Sequence, residues 1–190
     1  PFASGELIAS LTANGRKLWT DNLSRVSSGT SLSAINDIAG HPVISGGSVY
    51  AASLSGVVVA VDLRSGVRLW QQPIGSIQSP WVAGNSVYVI STDAQLVCIN
   101  SETGTVKWTK QLASFKNERK HKGRITWAGP IMVGSRLVLG SSTGTILEID
   151  PRNGEIVNTI RGRGEYYISP IAVDGIVYFY SNNGDLLALK

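Results

Sequence analysis

The stretch Ala60–Trp70 reads AVDLRSGVRLW and spaces an aspartate, a glycine and a tryptophan four residues apart. Asp62 offers a side-chain acceptor to the amides of a turn, and Gly66 permits the positive φ that such a turn requires. Trp70 follows on the next alternating segment, where its ring can bury a large area against a neighbouring sheet. The stretch therefore predicts a strand-turn-strand unit whose tryptophan contacts another copy of the same unit.

The same spacing recurs along the chain. It is found in three further residue pairs, the last with asparagine in place of tryptophan: Gly15 and Trp19, Gly104 and Trp108, and Gly154 and Asn158. Units open on Pro42, Pro80, Pro130 and Pro170, which are 38, 50 and 40 residues apart. Each whole unit holds four short alternating segments, which are typical of an antiparallel meander. Because one such sheet cannot cover both of its faces, the repeat predicts radially stacked sheets, as in a β-propeller.

The repeat count predicts an all-β chain that forms a partial β-propeller of about four four-stranded antiparallel blades. We expect a partial blade over residues 1–23, full blades over 41–76, 79–113 and 129–163, and an incomplete last blade over 169–190. The chain is therefore expected to be a piece of a longer protein. An open arc of blades leaves unpaired strand edges, so we expect self-association rather than a monomer, which light scattering distinguishes.

The composition excludes several classes of protein. Of the 190 residues, 43% are hydrophobic and 16% are charged, a balance that excludes disorder driven by charge. One cysteine and two histidines exclude an intramolecular disulfide and a multi-cysteine metal site, and leave little basis for a histidine triad. No apolar run reaches the length of a membrane-spanning helix, about 18 residues. The glycine-rich stretches precede no helix that would cradle a phosphate, so we predict a non-enzymatic protein without cofactors or metals.

The pattern Ala-x-Asp-x-x-x-Gly-x-x-x-Trp resembles the tryptophan-bearing repeats of pyrroloquinoline-quinone-type propellers. A closer resemblance, to the BamB family of outer-membrane β-barrel assembly lipoproteins, is carried by three stretches. They are Ser33–Ile38 before a His-Pro-Val segment, Ala60–Trp70, and Pro80–Asn85 at the opening of the next repeat. The resemblance corresponds to the C-terminal half of a family member and implies that the full ring has about eight blades.

This resemblance implies a protein-interaction scaffold at the periplasmic face of the outer membrane, held there by a lipid anchor outside the fragment. The implied partner is the central barrel-inserting protein, bound through its periplasmic domains, with unfolded outer-membrane proteins as further clients. Two alternatives stay open: a fragment of a quinone-dependent dehydrogenase, and a sensor or ligand-binding propeller. The single cysteine argues against the dehydrogenase, because those enzymes carry a disulfide between adjacent cysteines.

The connection Ser24–Gly40 is longer than a minimal link between blades, and long connections often carry contacts. The resemblance implies partner contact through an Asp-x-Asp pair just before the opening proline of a blade. Asp37 matches the first acid of that pair, whereas Ala39 stands at the second. We therefore predict partner contacts from Asn36, Asp37 and Ile38. The alternative is a loop that folds back on the propeller, with Asp37 capping a turn.

The connection Ser114–Arg124 accounts for the longest repeat and holds five of the 17 lysines and arginines. A basic loop can dock an acidic partner or lie near anionic head groups, and we predict partner contacts from Lys120 and Arg124. The alternative is a solvated loop without a partner. No nucleic acid is expected, because the run offers only Phe115 for stacking on bases and the net charge of +4 is mild.

Overall fold

A computed structural model describes residues 1–23 and 38–190 of the chain. Its first sheets are β1 (Glu6–Ser10) with β2 (Lys17–Asn22), and then β3 (Val43–Ser45), β4 (Ser48–Ser53), β5 (Val57–Asp62) and β6 (Arg68–Gln72). They are followed by β7 (Trp81–Ala83), β8 (Ser86–Ile90), β9 (Gln95–Asn100) and β10 (Val106–Gln111), and by a small hairpin of β11 (Phe115–Asn117) and β12 (Lys122–Arg124). The last sheets are β13 (Trp127–Val133), β14 (Arg136–Ser141), β15 (Thr145–Ile149) and β16 (Ile156–Arg161), and then β17 (Ile171–Val173), β18 (Ile176–Tyr180) and β19 (Leu186–Leu189).

The strands of each sheet are ordered as they occur in the chain, which is the arrangement of a meander. Three sheets have four strands and the sheet of β17 to β19 has three. In the part of the chain that the structure describes, the only helical segment is a 3-10 turn at Glu118–Lys120. The prediction of an all-β protein built from repeated four-stranded antiparallel sheets is confirmed, while the division into blades at the stated residues stays a prediction.

Burial along the strands explains their composition. Strand β5, VVVAVD, is buried over its first five residues, because β4 and β6 flank it and Leu7 and Leu23 pack in one buried cluster with its valines. Strand β10, VKWTKQ, lies at the edge of its sheet and leaves all but two of its six residues exposed. A continuous apolar run therefore marks an inner strand, and an alternating polar run marks the outer one.

The turn predicted from Asp62 is present in the structure. The Oδ1 atom of Asp62 accepts hydrogen bonds from the amides of Arg64 at 3.2 Å and Ser65 at 2.7 Å. In the next repeat, Asn100 Oδ1 accepts hydrogen bonds in the same way from the amides of Glu102 at 2.9 Å and Thr103 at 3.0 Å. The polar residue at this repeat position thus satisfies the turn amides that no strand partner reaches.

Each tryptophan of the repeat donates to the turn of the following repeat. Trp70 Nε1 donates to the carbonyl of Ser101 at 2.8 Å, and the ring covers Gly104. A Cβ atom at Gly104, where φ is +74°, would lie 2.7 Å from Trp70 Cγ, so this position requires glycine for both its conformation and its contact. Two further tryptophans donate in the same way: Trp19 to Leu63 O at 2.9 Å and Trp108 to Pro151 O at 3.0 Å. We call Trp19, Trp70 and Trp108 the tryptophan series.

The chain divides into two compact units, one of residues 1–92 and 99–105 and the other of 93–98 and 106–190. In the first unit, Leu7, Leu23 and Ile38 pack with valines of the strands in one buried cluster. In the second, the fully buried rings of Tyr166 and Phe179 lie 5.0 Å apart between their centroids. No helix among the described residues is long and apolar enough to cross a membrane.

Candidate functional site

The basic connection between β10 and β13 forms a hairpin, which we call the basic hairpin and define as residues 114–124. Its two strands pair antiparallel, with Phe115 opposite Arg124 and Asn117 opposite Lys122. The 3-10 turn at Glu118–Lys120 joins them. The sequence predicts a loop here without settling its order, and the structure shows that the loop has regular pairing.

Local chemistry shapes the turn of the basic hairpin. Asn117 Oδ1 accepts a hydrogen bond from the amide of Lys120 at 2.9 Å, which caps the start of the 3-10 turn. His121 ends the turn with a left-handed φ of 48°, and its amide donates to the carbonyl of Glu118 at 3.3 Å. The side chains of Lys120 and its neighbours in the turn are therefore exposed at the tip of the hairpin.

Glu118 ties the turn back to the first strand. Its Oε1 atom accepts hydrogen bonds from the amides of Phe115 at 3.0 Å and Ser114 at 2.8 Å. These donors, first Phe115 and then Ser114, hold the pKa of the Glu118 carboxyl below its ordinary value because they favour the ionised form. The only carboxylate of the basic hairpin thus stabilises the turn of the hairpin itself.

Acidification is expected to loosen the basic hairpin. Because the pKa of Glu118 is lowered in the folded state, the ionised carboxylate stabilises the hairpin above the ordinary pKa of 4.5, and this contribution is lost as the pH falls through the lower folded-state value. Hydrogen-exchange protection of the Ser114 and Phe115 amides should therefore fall as the pH is lowered below 4.5.

Glu118→Gln is the matched control, because it keeps an acceptor oxygen and removes the charge. We expect lower protection of the two amides at neutral pH and no further loss on acidification over the same range, because charge-assisted hydrogen bonds are stronger than neutral ones. Equal pH profiles for the variant and the unmodified protein would contradict this account.

The net positive charge of the chain is concentrated in the basic hairpin. Residues 114–124 contain five of the 17 lysines and arginines and one of the 13 aspartates and glutamates. The remaining residues therefore carry twelve of each sign, so the net charge of +4 belongs to these eleven residues. Such a local excess attracts an anionic partner over roughly a Debye length, about 8 Å at physiological salt.

A cavity of about 440 Å³ lies beside the basic hairpin. Apolar side chains form part of its wall, and the ring of Phe115 meets the ring of His121 edge to face at 5.1 Å. The lining residues come from the β8–β9 turn, the end of β10 and the residue after it, the hairpin, and the residue that follows the hairpin: Asp93, Ala94, Gln111, Leu112, Ser114, Phe115, Glu118, His121, Arg124 and Ile125. The cavity thus combines apolar surface with titratable groups, which is the usual character of a recognition site.

The base of the basic hairpin is fixed to the sheets on both sides. The Ile125 amide donates to the carbonyl of Ser114 at 2.8 Å, which closes the hairpin. Trp127 Nε1 donates to the carbonyl of Ala113 at 2.9 Å, and Gln111 Nε2 donates to the carbonyl of Asp93 at 3.1 Å. The hairpin therefore projects from an anchored base, and a partner that binds it orders little additional chain.

The residues that the sequence predicts as partner contacts differ in their exposure in the structure. Lys120 and Arg124 are both exposed on the basic hairpin, and Arg124 also lines the cavity. Ile38, predicted as a contact, is only 5% exposed and packs in the cluster that contains Leu7 and Leu23, so its side chain is part of the core. Asn36 and Asp37 lie outside the described residues. Their roles, like those of Lys120 and Arg124, stay predictions.

Sequence reasoning missed the cavity and the residues that shape it. Phe115 and His121 lie six positions apart and meet only because the hairpin folds back on itself. A signal was present, because Asn117 and Gly123 flank the run as turn-forming residues. The high charge of the run, however, is equally typical of a solvated loop.

Comparison with known proteins identifies the family. A family model described as outer membrane protein assembly factor BamB matches residues 1–110, more than half of the 190 residues. The chain belongs to the BamB family. The BamB-family resemblance inferred from the repeats is thereby confirmed.

Two BamB relatives align over nearly the whole chain. The outer membrane protein assembly factor BamB of Alteromonas naphthalenivorans is 32% identical, over 98% of this chain and 44% of the relative. The protein of the same name from Legionella pneumophila is 26% identical, over 100% of this chain and 47% of the relative. The chain therefore spans about half the length of the BamB relatives it matches.

A solved BamB structure shares the fold. The crystal structure of BamB from Moraxella catarrhalis superposes with a TM-score of 0.80 at 21% identity, over 98% of this chain and 52% of that chain. At this identity the likeness shows the fold alone, and it confirms the predicted partial β-propeller.

Proposed function

We propose that this chain is part of a non-enzymatic scaffold that acts in outer-membrane protein assembly. Its partner is the central barrel-inserting protein of the assembly machinery, which it binds through that protein's periplasmic domains. The observation that carries this proposal is the net charge of +4 held on one anchored hairpin of a BamB-family propeller. Its site of action is the periplasmic face of the outer membrane, reached through a lipid anchor outside this fragment.

The proposed mechanism is rigid presentation of connections between blades. Hydrogen-bonded sheets and the tryptophan series fix the points where each connection leaves and re-enters the propeller. Binding then requires little ordering of the scaffold, which lowers the entropic cost of association. Unfolded outer-membrane proteins are a second class of client under the same proposal, and self-association of the fragment stays a prediction.

The scaffold is favoured over the two alternatives by the names of its relatives. They are named as assembly factors, whereas a dehydrogenase or sensor fragment would be expected to match enzymes or receptors.

Charge reversal on the basic hairpin is expected to weaken partner binding. The double variant Lys120→Glu, Arg124→Glu in the full-length protein should raise the Kd for the isolated periplasmic domains at least tenfold, about 1.4 kcal/mol. Asp37→Arg should also weaken binding if its connection contacts the partner. Biolayer interferometry at two salt concentrations measures both effects, and the effect of the hairpin variant should shrink at high salt.

The matched control is Arg16→Glu, Lys17→Glu, which makes the same charge change at exposed residues where the β1–β2 turn ends and β2 begins. It should leave the Kd within about twofold, because the sites are not part of the proposed surface. Unchanged binding by the hairpin variant would show that the hairpin is not part of the interface. Unchanged binding by Asp37→Arg would show the same for the connection Ser24–Gly40. Absence of binding by the unmodified full-length protein would refute the proposed partner.

A further inference from the structure

We propose that the cavity beside the basic hairpin receives one large apolar side chain from an acidic, extended segment of a protein partner. The inference deepens the proposed function and rests on it for the identity of the partner, but the chemistry of the segment is argued from the site alone. It assigns separate tasks to two parts of the hairpin: the cavity takes an anchor residue, and the surrounding cations take the flanking carboxylates.

The cavity has the size and lining for an anchor side chain. Its volume of about 440 Å³ falls within the range of sites that bury small ligands, about 300–1,000 Å³. Leu112 and Ile125, which are 3% and 8% exposed, contribute apolar surface, and the half-buried ring of Phe115 adds an aromatic wall. An aromatic or large aliphatic side chain entering this space would be removed from water, as binding anchors are.

The rim of the cavity selects for negative charge. Arg124 lines the cavity together with the carboxylates Asp93 and Glu118, and Lys120 and Lys122 lie beside them on the exposed hairpin. Glu118 accepts two backbone hydrogen bonds, so its carboxylate is held against the hairpin's own backbone. The basic hairpin carries a net charge of +4, which Asp93 in the cavity wall reduces to +3, so aspartate or glutamate residues on either side of an anchor would meet a net positive surface.

A protein segment fits this site better than a membrane surface. A lipid surface would be attracted by the cations but would leave the cavity unfilled, because head groups present charge without a single apolar projection. A peptide satisfies both features, since one side chain enters the cavity while its neighbours remain at the rim. The proposal therefore commits to an acidic peptide segment, and membrane binding becomes an outcome that would overturn it.

The experiment uses short synthetic peptides with the full-length protein. Peptide EGEFEGE, with blocked ends and a fluorescent label, is compared with EGEAEGE, which lacks the anchor, and with KGKFKGK, which reverses the charge. We expect EGEFEGE to bind about tenfold more tightly than EGEAEGE, because burial of a phenylalanine side chain contributes at least that factor. KGKFKGK should not bind detectably, and binding of EGEFEGE should weaken as salt is raised.

Variants of the protein connect the binding to the cavity. Phe115→Ala should abolish the tenfold difference between EGEFEGE and EGEAEGE, whereas Phe115→Leu, which keeps an apolar wall, should retain most of it. Lys120→Glu, Lys122→Glu should weaken both acidic peptides by a similar factor, because it acts on charge and leaves the cavity intact. Hydrogen-exchange protection of the Ser114 and Ile125 amides verifies that each variant keeps the hairpin.

Three results would overturn the inference. The first is equal affinity for EGEFEGE and EGEAEGE, and the second is an affinity for KGKFKGK as high as that for EGEFEGE. The third is that the protein binds phosphatidylglycerol vesicles but binds none of the three peptides. If Phe115→Ala unfolds the hairpin, the comparison of the three peptides on the unmodified protein still decides. Peptide binding without binding of the barrel-inserting protein's periplasmic domains would refute the proposed function and leave this inference standing. Binding of those domains without binding of any peptide would refute this inference and leave the proposed function standing.

Discussion

Replacing Trp70 by alanine is expected to lower the free energy of unfolding by about 3–5 kcal/mol, the range for large-to-small changes of buried aromatic residues. Trp70 is 8% exposed, and its ring packs near Tyr50 with centroids 6.0 Å apart. Its Nε1 atom donates to the carbonyl of Ser101 at 2.8 Å, and the ring covers Gly104. The substitution thus removes a hydrogen bond and leaves a void between two successive repeats.

Two further variants separate these contributions. Trp70→Phe keeps an aromatic ring and loses the Nε1 donor, so we expect a smaller loss that includes about 1 kcal/mol for the hydrogen bond. Trp81→Ala removes a tryptophan that is only half-buried and lies outside the tryptophan series, and it should cost less than Trp70→Ala. Urea unfolding followed by far-ultraviolet circular dichroism measures all three. Equal losses for Trp70→Ala and Trp81→Ala would show that the series has no special role in stability.

Adding a single methyl group at Gly40 is expected to destabilise the protein by about 3 kcal/mol or more, at the upper end for overpacking. A Cβ atom there would lie 2.7 Å from the carbonyl carbon and oxygen of Gln78 and from the amide nitrogen of Ser79. These are backbone atoms and cannot rotate away. The neighbouring His41 amide donates to Ser79 Oγ at 2.8 Å, so Gly40→Ala should also lower the exchange protection of that amide.

Gly84→Ala provides the contrasting control. Gly84 has a φ of +54°, and a Cβ atom there would have no neighbour within 4 Å, so only backbone strain opposes alanine. We expect a loss of about 1–2 kcal/mol with no change at His41. Chemical denaturation and hydrogen exchange of the two variants distinguish steric contact from conformational strain. A Gly40→Ala protein as stable as the Gly84→Ala protein would contradict the close approach of the two chain segments.

Much of the fold was predictable because its signals are local and repeated. Asp62 and Gly66 form a turn through atoms only a few residues apart, and a pattern seen several times is read more securely than one seen once. The candidate site was predictable only in part. The charge of residues 114–124 is visible in the sequence, whereas their pairing as a hairpin, with Glu118 accepting hydrogen bonds from two amides of its first strand, is not.

Ile38 illustrates a position whose surroundings the sequence does not reveal. The sequence places it beside Asp37 in a long connection, where an apolar residue is compatible with either a contact or a core role. Its burial depends on Leu7, Leu23 and the inner face of the β3–β6 sheet, which are brought together only by the tertiary fold. The residues next to Ile38 in the sequence do not indicate that it packs against that surface.

The amino-acid sequence by itself determined the repeat, the all-β class, the turn chemistry and the tryptophan positions, because each depends on side chains at short, fixed separations. It also determined that the excess charge lies in one connection. Only the tertiary structure decided that this connection is an anchored hairpin beside a cavity, that Ile38 is buried, and that Gly40 touches the backbone at Gln78. These features depend on contacts between segments far apart in the chain, whose distances are set by the packing of the sheets.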